Sequence, residues 1–125
     1  MKSVFIVGSR KFYEEINELV QQLRDNQIKV ATAGKWDKTQ EDTFESEKRA
    51  LFIAFQRIDE FDLIYIYSKN GYIGKTVAME TAYAYAKNKE LISSHKIDEF
   101  STQALISQIV NADELIEFCR QSAFD

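Results

Sequence analysis

The chain has 125 residues, with 16 Lys and Arg against 20 Asp and Glu and a net charge of −4. That length suits a single domain over residues 1–125 with a real core, and the acidic balance argues against broad nucleic-acid binding, which needs a basic face. One cysteine and one histidine exclude an intramolecular disulfide and leave any metal site to carboxylates, so neither a metal nor a cofactor is expected.

Val4 to Val7 is a short apolar run ending at Gly8, the pattern of a buried strand. Phe12 to Asp25 places Ile16, Leu19, Val20 and Leu23 at the spacing of an amphipathic helix. Ile28 to Thr32 predicts a second strand, and Gly34 to Glu41 a polar loop containing Trp36. From Asp42 to Phe61, Phe44, Leu51, Phe55 and Ile58 recur at helical spacing. Leu63 to Tyr67 predicts a third strand, Thr76 to Asn88 a third helix and Leu91 to Ser93 a fourth strand. Thr102 to Val110 and Asp113 to Arg120 read as two closing helices or one broken helix. Alternating strands and helices predict a parallel sheet covered on both faces, a small doubly wound α/β fold of flavodoxin-like strand order 2-1-3-4. No apolar stretch approaches the roughly 18 residues of a membrane span. The start, Met1 to Ser3, does not resemble a signal peptide, so a cytoplasmic location is expected.

The chain has four glycines and no proline, and the glycines fall just after strands one, two and three. In doubly wound folds the ligand crevice lies beyond those carboxyl ends. The first candidate is Gly8-Ser9-Arg10, where backbone N–H groups and a helix dipole favour an anion and Ser9 and Arg10 add donors. A plain capping role for Ser9 and a solvated Arg10 is the alternative. Arg10, Lys11, Lys35 and Lys38 could also converge into a local basic patch. The second candidate is the loop with Asn70, Gly71, Tyr72 and Gly74, followed by Glu80 about one turn into the third helix. Glu80 is either a ligand-facing carboxylate or a surface charge complementing the helix dipole, the latter worth roughly 0.3–1 kcal/mol. Met79, Ala82 and Ala86 are expected to form that helix's core face, with Tyr83 at its edge, which leaves Glu80 on a neighbouring stripe that need not be buried.

The run from Glu80 to Ile92, ETAYAYAKNKELI, resembles the stretch E-[IL]-G-[YR]-A-x-A-x-G-K-P-[IV] of the nucleoside 2-deoxyribosyltransferase-like family. FIVGS from Phe5 to Ser9 resembles that family's first strand and loop, and FDLIYI from Phe61 to Ile66 its A-D-x-[VI]-[VIL]-[VAI] strand, in the same order over about residues 3 to 93. The resemblance implies a flavodoxin-like fold and chemistry at the N-glycosidic bond of 2-deoxyribonucleosides or their 5′-monophosphates. It implies Glu80 as the nucleophile, Gly8 and Ser9 at the sugar or phosphate end, a nucleoside or nucleotide as the small-molecule partner, and a homodimer or higher homo-oligomer. An oxocarbenium-like transition state suits a carboxylate on one face of the sugar and an acid near the leaving base.

The chain departs from the family pattern at several positions. The glycine two residues after the glutamate is Ala82, and the glycine–lysine–proline turn is Asn88-Lys89-Glu90. The acid that active relatives carry on the helix before strand three maps near Ala54, which has no proton to give. Asp62 starts strand three and lies roughly 17 Å from the crevice, too far to substitute. Asp37, after strand two, is therefore the acid/base candidate. Trp36 and Tyr72 are candidates for stacking on a base, with packing or an interface as the alternative. His95 reads as a loop surface residue and Cys119 as core, and one of Tyr83 and Tyr85 is expected at an interface. Three readings stand open: a deoxyribosyl transferase or N-glycosidase, a nucleotide-binding or sensing module that kept the pocket and lost activity, and an interaction protein that dimerises through its third helix.

Overall fold

The computed structural model describes residues 1–33 and 42–121. Gly34, Lys35, Trp36, Asp37 and Lys38 lie outside the described residues, so the expectations placed on them are not met or refuted by it. Five strands form one parallel sheet in the order β2-β1-β3-β4-β5: β1 Val4–Gly8, β2 Val30–Thr32, β3 Leu63–Tyr67, β4 Glu90–Ser93 and β5 Gln108–Ile109. The expected order 2-1-3-4 is present, extended by a fifth strand.

Alternation along the strands builds two apolar layers. Val4, Ile6, Leu63, Tyr65, Tyr67 and Ile92 face one side with α1 (Tyr13–Asp25) and α5 (Ala112–Gln121). Phe5, Val7, Ile64, Ile66 and Leu91 face the other with α2 (Phe44–Glu60) and α3 (Lys75–Ala86). Ile16, Leu19, Val20 and Leu23 are the buried stripe of α1, at the spacing the sequence showed. At Gly8 the backbone comes close to its neighbours: a Cβ there would sit 2.7 Å from the end of the Ile16 side chain, which would have to shift, and 3.3 Å from Tyr67. No described helix is long and apolar enough to cross a membrane.

Two expectations are corrected. Residues 102 to 110 are not a helix: the chain forms only a short α4 (Phe100–Gln103) and then pairs β5 with β4. The unpaired edge of β4 supplies the reason, because buried backbone groups need partners. Ser107 and Val110 donate their N–H groups to the carbonyls of Leu91 and Ser93, at 3.0 and 2.8 Å, and Tyr65 adds its hydroxyl to the Val110 carbonyl at 2.7 Å.

The second correction concerns α3. Its buried residues are Val77, Glu80, Thr81 and Ala84, whereas Met79 is 51% exposed and Ala82 and Ala86 face solvent. Alanines and mixed residues around the helix leave no clear apolar stripe, so tertiary packing sets its rotation. Thr81 satisfies its buried hydroxyl on the Val77 carbonyl one turn back, at 2.8 Å.

Outside the site, Cys119 is buried and His95 is exposed, as expected. His95 Nδ1 is 2.8 Å from the Ser94 hydroxyl, which also accepts the Ser68 N–H. Asp62 sits at the opposite end of the sheet and accepts from the backbone and hydroxyl of Ser3.

Candidate functional site

A cavity of about 560 Å³ opens beyond the carboxyl ends of β1 and β2. Its floor is Ile6, Val7, Gly8 and Thr32; its walls are Ser9 and Arg10, the first turns of α1 with Tyr13 and Asn17, the start of α2, and the start of α3. This is where strand order reverses direction about β1, the usual ligand position in such sheets.

Each wall has a local cause. After β1 the chain makes a 3-10 turn, Arg10–Phe12, capped by Ser9, whose hydroxyl accepts the Lys11 N–H at 3.2 Å. The α2 wall begins with a capping box in which Thr43 and Ser46 exchange side-chain and backbone hydrogen bonds at 2.9 and 3.1 Å. The α3 wall begins at Gly74, which leaves the first turn without a side-chain cap or an acidic residue. Its unsatisfied N–H groups and positive dipole end therefore border the cavity, with Gly74, Lys75 and Thr76 in the lining.

Glu80 lines the same cavity. It is only 7% exposed, and among the described residues no side chain or backbone N–H donates a hydrogen bond to its carboxylate. The expectation that it need not be buried is therefore overturned. Loss of hydration raises its pKa from the ordinary 4.5 to about 7, because burial penalises the charged form. Such a carboxyl group holds a proton more readily than usual and, once ionised, is poorly solvated and gains from any developing positive charge nearby.

Across the cavity, Arg10 reaches α2. Its Nη1 lies 3.3 Å from Asp42 Oδ1 and its Nη2 3.3 Å from Glu47 Oε1. Three carboxylates, Asp42, Glu47 and Glu80, and two cations, Arg10 and Lys75, thus line the cavity. Among the described residues no three His, Cys, Asp or Glu side chains are grouped to hold a metal ion.

The structure brings together Gly8, Ser9, Arg10, Gly74 and Glu80 of the sequence-predicted site. It places Asn70, Gly71 and Tyr72 away from the cavity. Asn70 and Gly71, at φ of 60° and 78°, turn the chain through a 3-10 turn, Lys69–Gly71, and the Gly71 carbonyl accepts the Asp98 N–H at 2.9 Å. Tyr72 packs edge-on against Phe12 and lies under the Lys11 ammonium, 4.4 Å from the ring centroid. Lys11 thus lies over Tyr72 and Arg10 pairs with carboxylates, while Lys35 and Lys38, the other two members of the expected basic patch, lie outside the described residues. Ala54 is 1% exposed in the core beneath α2 and does not reach the cavity.

Sequence reasoning missed Glu47. The signal available was the pair Ser46–Glu47 with Ala50, one face of α2 at helical spacing, but nothing in the sequence marked that turn as the one against the cavity.

The fold is that of nucleoside 2-deoxyribosyltransferase structures. A conserved protein from Enterococcus faecalis V583 superposes with a TM-score of 0.70 at 19% identity, over 98% of this chain and 99% of that one. A 2-deoxyribosyltransferase from Bacillus psychrosaccharolyticus gives 0.66 at 12% identity, over 91% and 90%. A CMP N-glycosidase from Clostridium botulinum gives 0.57 at 16% identity, over 96% and 99%. No family model matches the sequence, and no curated protein matches it. At these identities the likeness is one of fold.

Proposed function

We propose that this chain is a single nucleoside 2-deoxyribosyltransferase-like domain that cleaves or transfers the N-glycosidic bond of 2-deoxyribonucleosides or their 5′-monophosphates. The observation that carries the reading is Glu80, a buried carboxylate without a hydrogen-bond donor among the described residues, lining a cavity bordered by Gly8, Ser9, Arg10 and Gly74. The transferase and N-glycosidase of the same fold support it.

Glu80 attacks C1′ as the bond to the base loosens. Its desolvated carboxylate is a better nucleophile and a better partner for an oxocarbenium-like centre than a hydrated one. Gly8, Ser9 and Arg10, with Gly74 and the start of α3, hold the sugar end. Asp37 is the proposed proton donor to the departing base, and Trp36 the proposed stacking partner.

Incubation with deoxynucleosides and their 5′-monophosphates should release free base, and Glu80→Ala should lower the rate by at least about 10³-fold, the scale of losing a covalent nucleophile. Release that survives Glu80→Ala would sink the nucleophile assignment. The burial of Ala54 favours a second reading, a nucleotide-binding or sensing module without activity. A thermal shift with a nucleoside or nucleotide but no free base would decide for it.

The proposal includes a homodimer or higher homo-oligomer in the cytoplasm. Phe44 and Phe52 on α2 and Met79 and Tyr85 on α3 are large apolar side chains more than half exposed, at 97%, 55%, 51% and 57%, which supports self-association through these helices. Tyr83 is instead stacked on Phe55 at 4.2 Å and donates to Asp59. Equilibrium sedimentation should give at least twice the 14.5 kDa chain mass; a monomer throughout the micromolar range counts against it.

A further inference from the structure

The proposed reaction has two halves, and the second needs a proton acceptor. The side chain near the family's acid position, Ala54, is in the core, and Asp37, which could take back a proton after giving one, lies outside the described residues. The residues that α2 does present to the cavity are Ser46, Glu47 and Ala50, a single helical face. Glu47 lies in the first turns of α2, on backbone fixed by the Thr43–Ser46 capping box, and its own N–H is bonded to the Thr43 carbonyl at 3.0 Å. Its side chain is held by Arg10, which spans from the loop after β1 and also engages Asp42. The guanidinium fixes where that carboxylate stands in the cavity wall.

We propose that Glu47 is the general base for the second half of the reaction, with Arg10 as the residue that positions it. The inference rests on the Glu80 reading given above. In the first half, a Glu80 oxygen bonds to C1′, the C1′–N bond breaks, and the base leaves with that electron pair and a proton from the acid proposed above. In the second half, the oxygen of a water molecule bonds to C1′ and the C1′–O bond to Glu80 breaks, returning Glu80 as a carboxylate. The proton lost by that water goes to Glu47 and from there to solvent. Free 2-deoxyribose, or its 5-phosphate, is the product. If the acceptor is a second base, Glu47 takes the proton from the attacking ring nitrogen in the same way.

Asp42 is the competing carboxylate. It precedes α2 and its side chain is 71% exposed, against 40% for Glu47. It lacks the helical anchorage of Glu47 and is the more exposed of the two.

Rapid-quench kinetics on the full chain separate these roles. Glu47→Gln should give a burst of free base stoichiometric with protein, then turnover about 100-fold below wild type, the usual scale for loss of a general base. Intact mass should show one deoxyribosyl group added to the protein. Azide, which attacks without losing a proton, should restore turnover in Glu47→Gln and leave wild type unchanged. Asp42→Asn should show neither the burst nor the adduct.

Several results overturn the proposal: Glu47→Gln turning over within about threefold of wild type, a slow Glu47→Gln with no burst, adduct or azide response, or a burst and adduct in Asp42→Asn instead. If Glu47→Gln does not fold, Glu47→Asp with the same burst and mass readouts decides the matter. A wild-type chain that releases no base overturns the Glu80 reading and this proposal together. A wild type that releases base beside a normal Glu47→Gln overturns this one alone.

Discussion

Glu80→Gln is expected to stabilise the fold by about 3 kcal/mol at pH 8 and to leave stability unchanged at pH 4. The wild-type carboxyl moves from the ordinary 4.5 to about 7 in the folded chain, with burial as the cause. Between those two values the unfolded chain has lost the proton while the folded chain retains it. The folded state binds more protons there, so stability falls as pH rises and the full penalty is in place above pH 7. Glutamine carries no charge to desolvate and escapes that penalty. Urea unfolding of both proteins between pH 4 and pH 8 checks this: the two stability profiles should diverge through pH 5 to 7. Parallel profiles would mean that Glu80 is hydrated in the folded chain and not buried as the structure has it. The same substitution is expected to remove base release, so one residue would carry a stability cost and an activity together. That opposition is common where a site keeps a charge in a poorly solvated place.

Ile64→Ala is expected to cost about 2–5 kcal/mol, measured by denaturant unfolding at neutral pH. Ile64 is 0% exposed and sits in the layer with Phe5, Ala54, Ile58, Val77 and Ala84. Its strand, β3, is bonded to β1 on one side and β4 on the other, so the gap left by three lost carbons has little freedom to collapse. Domains of this kind hold about 5–15 kcal/mol in total, which makes the loss a large fraction of the whole. The same layer supports α2 and α3, the two helices that bring Glu47 and Glu80 to the cavity. A cost below about 1 kcal/mol would place Ile64 outside a close-packed core.

The strands of the parallel sheet were legible because buried strands read as continuous apolar runs: Val4 to Val7 and Leu63 to Tyr67 have no other plausible setting in a chain that alternates strands with helices. Helix α1 was legible because its apolar stripe is narrow and opposite a charged face. The rotation of α3 was not legible. With small or mixed residues on all sides, its pattern is nearly neutral to rotation, and contact with β3 and α2 chose the face that buries Glu80. Residues 102 to 110 were misread as helix because Leu105, Ile106, Ile109 and Val110 fit helical spacing as well as an edge strand. The open edge of β4 decided between the two, and no local pattern records that edge.

For the site the division is similar. The sequence by itself determined the order of elements as far as β4, the glycine at the end of β1, the glycine junction before α3 and the identity of Glu80 as the carboxylate to watch. Those follow from local rules: apolar runs, turn residues and the resemblance over about residues 3 to 93. Only the tertiary structure decided that Glu80 is buried, that Asn70, Gly71 and Tyr72 support a turn and not the cavity, and that Glu47 and Arg10 stand across it. The physical reason is that burial and charge pairing are set by residues distant in sequence: Arg10 meets Glu47 across 37 positions, and a one-dimensional pattern holds no measure of that distance.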